Sequence, residues 1–420
     1  MSLETEETVE VVSAIAPTTS DPSEVAPVTT GTATTVSRDV SGDKGKEKGG
    51  NVVANVSVDN EGTRRSGPTA RVVLPEAQVD ADDTDEEGED GEKREEEEED
   101  DGDFLSDFPD ETPVRMSSLE LRFGADVDGC TSGWFWIGSL ANLHLPRFAA
   151  YLRKLCLRQN LISHLDPEVF HQLTLLEELD LYDNKIKHVG DALDRSQNLT
   201  VVDLSFNLLR SVPDGLEHLK SLDTLYFVQN KISKITGLSH SVTLRSLELG
   251  GNRIRKIEGL DSLVNLEELW LGKNKITKLE GFSTLKRLKI LSLQSNRITK
   301  LENLEDLKEL DQLYLSHNGV ERLEGLEHNT KLTTLDVGSN FIPAIENISH
   351  LTNLEELWMN GNKIPDLFAL DTQLRHIGTL RTLYLEANPC HKQDMTGYRR
   401  KVMLALPQLT QIDATYVRKS

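Results

Sequence analysis

The nine residues LEELWLGKN, 266–274, decide the fold. Their spacing is L-x-x-L-x-L-x-x-N, with Leu266, Leu269 and Leu271 leading to Asn274. A β-strand sends successive side chains to opposite faces. Leu269 and Leu271 therefore point to one side, as a core requires, and Trp270 points to the other. The largest apolar side chain of the stretch is thus assigned to the wet face of a strand.

The same pattern recurs. Aligned on their asparagines, the segments end at Asn160, Asn184, Asn207, Asn230, Asn252, Asn274, Asn296, Asn318, Asn340, Asn362 and Asn388. The spacings are 24, 23 and 23, then 22 six times, then 26. A fixed period with this motif is the signature of leucine-rich repeats. The fold class expected is an α/β leucine-rich-repeat solenoid: a parallel sheet on the concave side, and 3₁₀ turns or short helices on the convex side. Outer segments such as KITKLEGFSTLKR carry Ile276, Leu279, Phe282 and Leu285 at a spacing near three, which suits such turns. Each motif asparagine is expected to hydrogen-bond turn backbone that would otherwise be buried unpaired, a cost of ~1–3 kcal/mol per group.

No unit buries its own leucines, so the ends need caps. The solenoid is expected over 151–390 and a C-terminal cap over 391–420, with Tyr398, Val402, Leu404, Leu406, Leu409 and Ile412 covering the last repeat. Residues 116–150 read as a degenerate N-terminal unit. Within it IGSLANLHLPRF, 137–148, is repeat-like, while GADVDGCTSGWFW, 124–136, has no register and is either a loop or a translated intron.

Charge separates the chain into two regimes. Residues 1–115 hold 32 acidic and 10 basic residues, and the 38 acidic and 36 basic residues that follow nearly cancel. The block DADDTDEEGEDGEKREEEEEDDGD, 80–103, repels itself and has almost nothing to bury, so 1–115 is expected to be a disordered acidic tail. Counted along the chain, no basic stripe emerges, which argues against nucleic acid as a partner. The start lacks a leader pattern and no run reaches the roughly 18 apolar residues of a membrane span, so neither secretion nor a membrane partner is expected. Cys130, Cys156 and Cys390 are too scattered for a disulfide framework or a metal knuckle.

The residues equivalent to Trp270 form the functional candidate. In order they are Cys156, Asp180, Asp203, Tyr226, Glu248, Trp270, Ser292, Tyr314, Asp336, Trp358 and Tyr384. At ~4.8 Å per strand, Asp180 to Tyr384 spans about 43 Å, enough to receive a folded protein. One exposed tyrosine is ordinary strand packing. Tyr226, Trp270, Tyr314, Trp358 and Tyr384 together make an apolar stripe of the kind that marks an interaction site. Asp203, Glu248, Asp336 and Glu356 are expected to set register by pairing with basic groups of a partner. No phosphate loop, H-E-x-x-H or G-x-S-x-G motif accompanies the carboxylates, so the chain reads as non-enzymatic, without cofactor or metal.

Phrases such as KLCLRQN, LDLYDNKI, LYLSHNGVERLEGLE, ENISHLTNLEELWMN and YRRKVMLALPQLTQIDATYV resemble the leucine-rich-repeat regulatory subunits of protein phosphatase 1, the regulatory subunit 7 family, over roughly 140–420. The resemblance implies that the concave face binds the phosphatase catalytic subunit through an acid and aromatic set. That set falls here on Asp203, Tyr226, Glu248, Trp270, Asp336, Glu356, Trp358 and Tyr384, with Tyr226 and Trp270 where the family often has Phe. It also implies action in nucleus and cytoplasm, a link to mitosis, and at times a ternary complex with a small phosphatase inhibitor. Many phosphatase partners carry a short basic-x-Val-x-aromatic docking peptide; RVVL, 71–74, lacks the aromatic, which leaves docking to the curved face. The alternative is a leucine-rich-repeat adaptor of a nuclear ribonucleoprotein or chromatin complex, gripping a basic helix in the same groove.

Overall fold

The computed structural model describes residues 118–120 and 137–418; the acidic tail and the irregular 124–136 stretch lie outside the described residues. Among the described residues, fourteen strands form one sheet in strict sequence order. They are β1 (Ser118–Glu120), β2 (Lys154–Cys156), β3 (Glu178–Asp180), β4 (Val201–Asp203), β5 (Thr224–Tyr226), β6 (Ser246–Glu248) and β7 (Glu268–Trp270). β8 (Ile290–Ser292), β9 (Gln312–Tyr314), β10 (Thr334–Asp336), β11 (Glu356–Trp358), β12 (Thr382–Tyr384), β13 (Gln411–Ile412) and β14 (Thr415–Tyr416) follow. All neighbours are parallel except the antiparallel β13–β14 pair that ends the sheet. β2 to β12 are the eleven strands of the repeated motif, and their central residues are buried in one continuous apolar core.

Between strands, the asparagines act as anticipated. Asn274 Nδ2 donates to the carbonyls of Leu249 (2.9 Å), Leu271 (3.0 Å) and Gly272 (3.3 Å), while its Oδ1 accepts from Ile254 N (2.9 Å). One amide thus ties two successive units, and the pattern repeats from Asn184 to Asn362. The residue before each motif asparagine takes a positive φ, from Ser339 (53°) to Gly361 (70°). From Gln159 to Gly361 its N–H reaches the next unit's carbonyl, as Lys273 N does to Gln294 O (2.8 Å), which offsets the cost of that conformation; Ala387 N donates instead to His391 Nδ1 (3.3 Å).

On the outer side, helices are fewer than the sequence suggests. α1 (Pro167–Phe170), a 3₁₀ turn at Asp214–His218 and α2 (Ala369–Gln373) flank units whose outer segments are described as turns between β5 and β11. A 22-residue period leaves room for turns but not for a helix, while the apolar residues Ile276, Leu279, Phe282 and Leu285 are buried all the same. A second left-handed position recurs here: Gly237, Gly259, Gly281, Asn303, Gly325 and Asn347. A Cβ at Gly281 would lie 2.7 Å from Ile257 O. Where asparagine stands instead, its amide donates to the preceding unit, Asn303 to Leu279 O (2.7 Å) and Asn347 to Leu323 O (2.8 Å).

The N-terminal unit has its strand at β1, which pairs with β2 through Ser118↔Lys154 and Glu120↔Cys156. Ile137 does for this unit what Ile162 does for the next. Its N–H donates to Asn160 Oδ1 (3.3 Å) and its carbonyl accepts from Leu161 N (3.0 Å), as Ile162 does with Asn184 (3.1 Å) and Lys185 N (2.9 Å). From Cys156 to Ile162, and from Asp180 to Ile186, the step is six residues; from Glu120 to Ile137 it is 17, an excess of eleven. The eleven additional residues lie in sequence between β1 and Ile137, in the 121–136 stretch that is outside the described residues.

At the other end, α3 (Pro389–Lys392) and α4 (Tyr398–Ala405) close the core. Tyr398, Val402, Leu406, Leu409 and Ile412 are buried. Leu404 departs from the expectation: it is 68 % exposed, because the helical period that turns Tyr398 and Val402 inward turns Leu404 to solvent. Asp413 Oδ1 accepts from Leu385 N and Glu386 N, both at 2.9 Å, and from the Tyr398 hydroxyl at 3.3 Å, which satisfies backbone left open after β12.

Candidate partner-binding face

The third residue of each strand faces away from the leucine core, and parallel pairing puts these residues in one column. The register runs Asp203↔Tyr226↔Glu248↔Trp270↔Ser292↔Tyr314↔Asp336↔Trp358↔Tyr384 without a break. Glu356 stands two residues before Trp358, in the parallel column formed by the first residue of each strand. All nine sequence candidates are therefore on the open face of the sheet.

The rings do not stand free. Trp270 and Tyr314 belong to strands two apart, yet stack at 6.4 Å between centroids and 20° between planes. The intervening residue is Ser292, small and buried, and the rings close over it. Trp358 and Tyr384, on adjacent strands, pack at 5.6 Å and 57°. Tyr314 donates to Gln312 Oε1 (2.9 Å), and the Tyr384 hydroxyl accepts from Gln411 Nε2 (2.7 Å). Each ring is half-buried, so the apolar stripe is a pre-packed surface rather than a row of separate probes.

Asp336 also differs from the sequence reading. It is 3 % exposed, accepting from Gly338 N (3.0 Å) and from Gln294 Nε2 (3.1 Å). Its register neighbours Tyr314 and Trp358 carry large rings on both sides, and Gln294 reaches it from two units back. Its carboxylate is held within the face by these internal hydrogen bonds.

The remaining carboxylates are strained by their surroundings. Burial raises the pKa of Glu248 above its ordinary value, and the charges of Asp203 and Glu268 add to the effect. Burial likewise raises Asp203, against hydrogen bonds from Ser205. Glu356 is raised by burial and by neighbouring Glu355, opposed by a hydrogen bond from Trp358. Burial pushes Tyr314 up to about 12, with the charges of Glu356, Asp336 and Asp311 behind it. Desolvated negative charge of this kind favours a partner that brings cations.

Sequence reasoning missed Glu268, Gln312 and Gln411, which occupy the first-residue column, and Ser292, which looks like an idle position in a list of rings. For Glu268 and Gln312 the signal was the x before the central leucine of each motif, and Gln411 holds the corresponding place before Ile412 in the cap. Among the described residues no group of three or more His, Cys, Asp or Glu side chains could hold a metal ion, and no helix is long and apolar enough to cross a membrane.

A family model described as leucine rich repeat matches residues 150–209, 197–254 and 264–320, and one for two-copy leucine-rich repeats matches 242–284 and 330–376; together they run over more than half of the chain. The chain is built of the leucine-rich repeats that these models describe. Among its relatives is protein phosphatase 1 regulatory subunit SDS22 of Saccharomyces cerevisiae, 44% identical over 125 residues, 30% of each chain. Protein phosphatase 1 regulatory subunit 7 of Mus musculus is 59% identical over 46 residues, 11% of this chain and 12% of its own length. This leucine-rich-repeat protein is thus related to the regulatory subunit group that its sequence resembles, although the matches span less than a third of either relative. An internalin from Listeria monocytogenes shares the fold alone, at a TM-score of 0.58 and 24% identity, over 68% of this chain and 80% of its own.

Proposed function

We propose that this protein is a non-catalytic regulatory subunit. It binds the catalytic subunit of the Ser/Thr phosphatase PP1 through the open face of its sheet, and so modulates that enzyme's activity, targeting or maturation. The observation that carries the reading is the single register column of Tyr226, Trp270, Tyr314, Trp358 and Tyr384, flanked by raised-pKa carboxylates. The names of its relatives supply the partner. Half-buried rings already packed on one another lose little freedom on binding, so their area is available for affinity. Asp203, Glu248 and Glu356 pair with Lys or Arg on the phosphatase, and Asp336 holds the floor beneath them.

A small phosphatase inhibitor joins the complex in a ternary arrangement, and the complex acts in nucleus and cytoplasm. The test is capture of the phosphatase catalytic subunit from cell extract. The wild-type chain retains it, whereas Trp270→Ala with Trp358→Ala loses it while melting within a few degrees of the parent. Undiminished capture by the double variant overturns the reading. Fractionation of cells checks the compartments.

A further inference from the structure

The turns that follow β5 to β8 carry a charge pattern that counting along the chain hides. They read VQNKIS (228–233), GGNRIR (250–255), GKNKIT (272–277) and QSNRIT (294–299). Not one of these 24 residues is acidic, and six are basic: Lys231, Arg253, Arg255, Lys273, Lys275 and Arg297. Parallel stacking brings together residues that are 22 apart in sequence. The backbone ladder Lys231 N to Leu209 O, Arg253 N to Ile232 O, Lys275 N to Ile254 O and Arg297 N to Ile276 O, each 2.8 Å, places the four in one row along the rim. At ~4.8 Å per strand, the row from Lys231 to Arg297 is about 14 Å long.

A neighbouring basic row shows what a structural role would look like. Three residues further along in three of the four units, Lys234 and Lys256 both pair with Glu258 (3.6 and 3.5 Å), and Lys300 pairs with Glu302 and Glu324 (both 3.8 Å); Lys278, in the fourth, has no ion pair among the described residues. Lys234, Lys256 and Lys300 each have an answering glutamate in their own or the next repeat. Among the described residues, no ion pair is formed by Lys231, Arg253, Arg255, Lys275 or Arg297.

We propose that this rim is a second binding site, distinct from the aromatic face, and that it takes an extended acidic polypeptide segment, rich in Asp, Glu or phosphorylated side chains. Five uncompensated cations in about 14 Å match a strand of roughly five residues at 3.3 Å each. No aromatic side chain lies in the four turns, so the stacking platforms that single-stranded nucleic acid needs are missing. Attraction of this kind raises the encounter rate and weakens steeply with salt.

The test is fluorescence anisotropy on the full chain with labelled oligoglutamate, oligoglutamine of the same length and single-stranded oligothymidine. The chain has 17 acidic residues of its own between 80 and 103, so binding of an added peptide in their presence is the stringent form. Oligoglutamate binds at low salt, oligoglutamine does not, and the combined Lys231→Gln, Arg253→Gln, Arg255→Gln, Lys275→Gln and Arg297→Gln variant weakens binding about tenfold or more. Lys234→Gln with Lys256→Gln and Lys300→Gln, on the paired row, leaves it within about twofold. Equal binding by the rim variant, no binding at low salt, or tighter binding of oligothymidine each overturns the proposal. Because the rim shares no residue with the aromatic column, capture of the phosphatase by the rim variant reports on the two sites separately.

Discussion

Trp270 and Tyr314 stack at 6.4 Å across the buried side chain of Ser292. Their strands are separated by β8, and only a small residue on that strand lets the rings meet. Such ring pairs contribute about 0.5–1.5 kcal/mol beyond their area. Ser292→Phe is expected to drive a third ring between them, shift the tryptophan emission spectrum and weaken capture of the phosphatase. Ser292→Ala is expected to leave both unchanged. An unaltered emission spectrum in the phenylalanine variant would show that the two rings do not depend on the gap.

The open-face carboxylates link stability to pH. Asp203 and Glu248 have raised pKa values in the fold, chiefly through burial, so the native state holds protons that the unfolded chain releases. Between the ordinary carboxylate value and the raised one, stability declines as pH rises. What these groups contribute is fully present below the ordinary value and lost on passing the raised one. Asp203→Asn with Glu248→Gln is therefore expected to melt at higher temperature than the parent at pH 7 and to flatten the decline above pH 4, while binding a basic partner less well. Asparagine keeps the Oδ1 that accepts from Ser205 N at 2.8 Å, so the turn survives. Calorimetry across pH checks the sign.

Asn274 holds two carbonyls at 2.9 and 3.0 Å and one N–H at 2.9 Å, in a buried turn at the middle of the stack. Asn274→Ala leaves these groups without partners, at ~1–3 kcal/mol each. The expected loss is about 3 kcal/mol or more, read from urea unfolding. Asn198→Ala, whose amide donates to Thr174 O at an exposed outer position, is expected to cost about 1 kcal/mol or less.

Gly281 sits at φ 79° with Ile257 O 2.7 Å from where a Cβ would be. Gly281→Val is expected to cost about 2 kcal/mol or more, since a branched side chain must enter the left-handed region against a carbonyl. Gly281→Asn should cost least among non-glycine substitutions, because asparagine at Asn303 and Asn347 already answers the equivalent carbonyl with its amide. The order of melting temperatures decides it.

Much of this architecture is legible from LEELWLGKN and its ten counterparts. Their period set the strands, the buried leucines and the asparagine ladder, because each of those depends on a residue and its immediate repeat neighbours. The placement of Trp270, Trp358 and the three tyrosines on the open face followed from alternation. The outer turns were read too helical, since a spacing near three serves a bare turn as well as a 3₁₀ helix. Leu404 was read as core because α4 had no stated phase before its buried side was known.

Strand order, core identity and the aromatic column are written into a local pattern repeated eleven times, and sequence is enough to recover them. Which rings touch, why Asp336 is covered and how Lys231, Arg253, Lys275 and Arg297 become one rim all required the folded chain. These depend on side chains between 22 and 44 residues apart being carried to within a few ångströms. Burial and charge add up across stacked neighbours, and a count along the chain cannot see that sum.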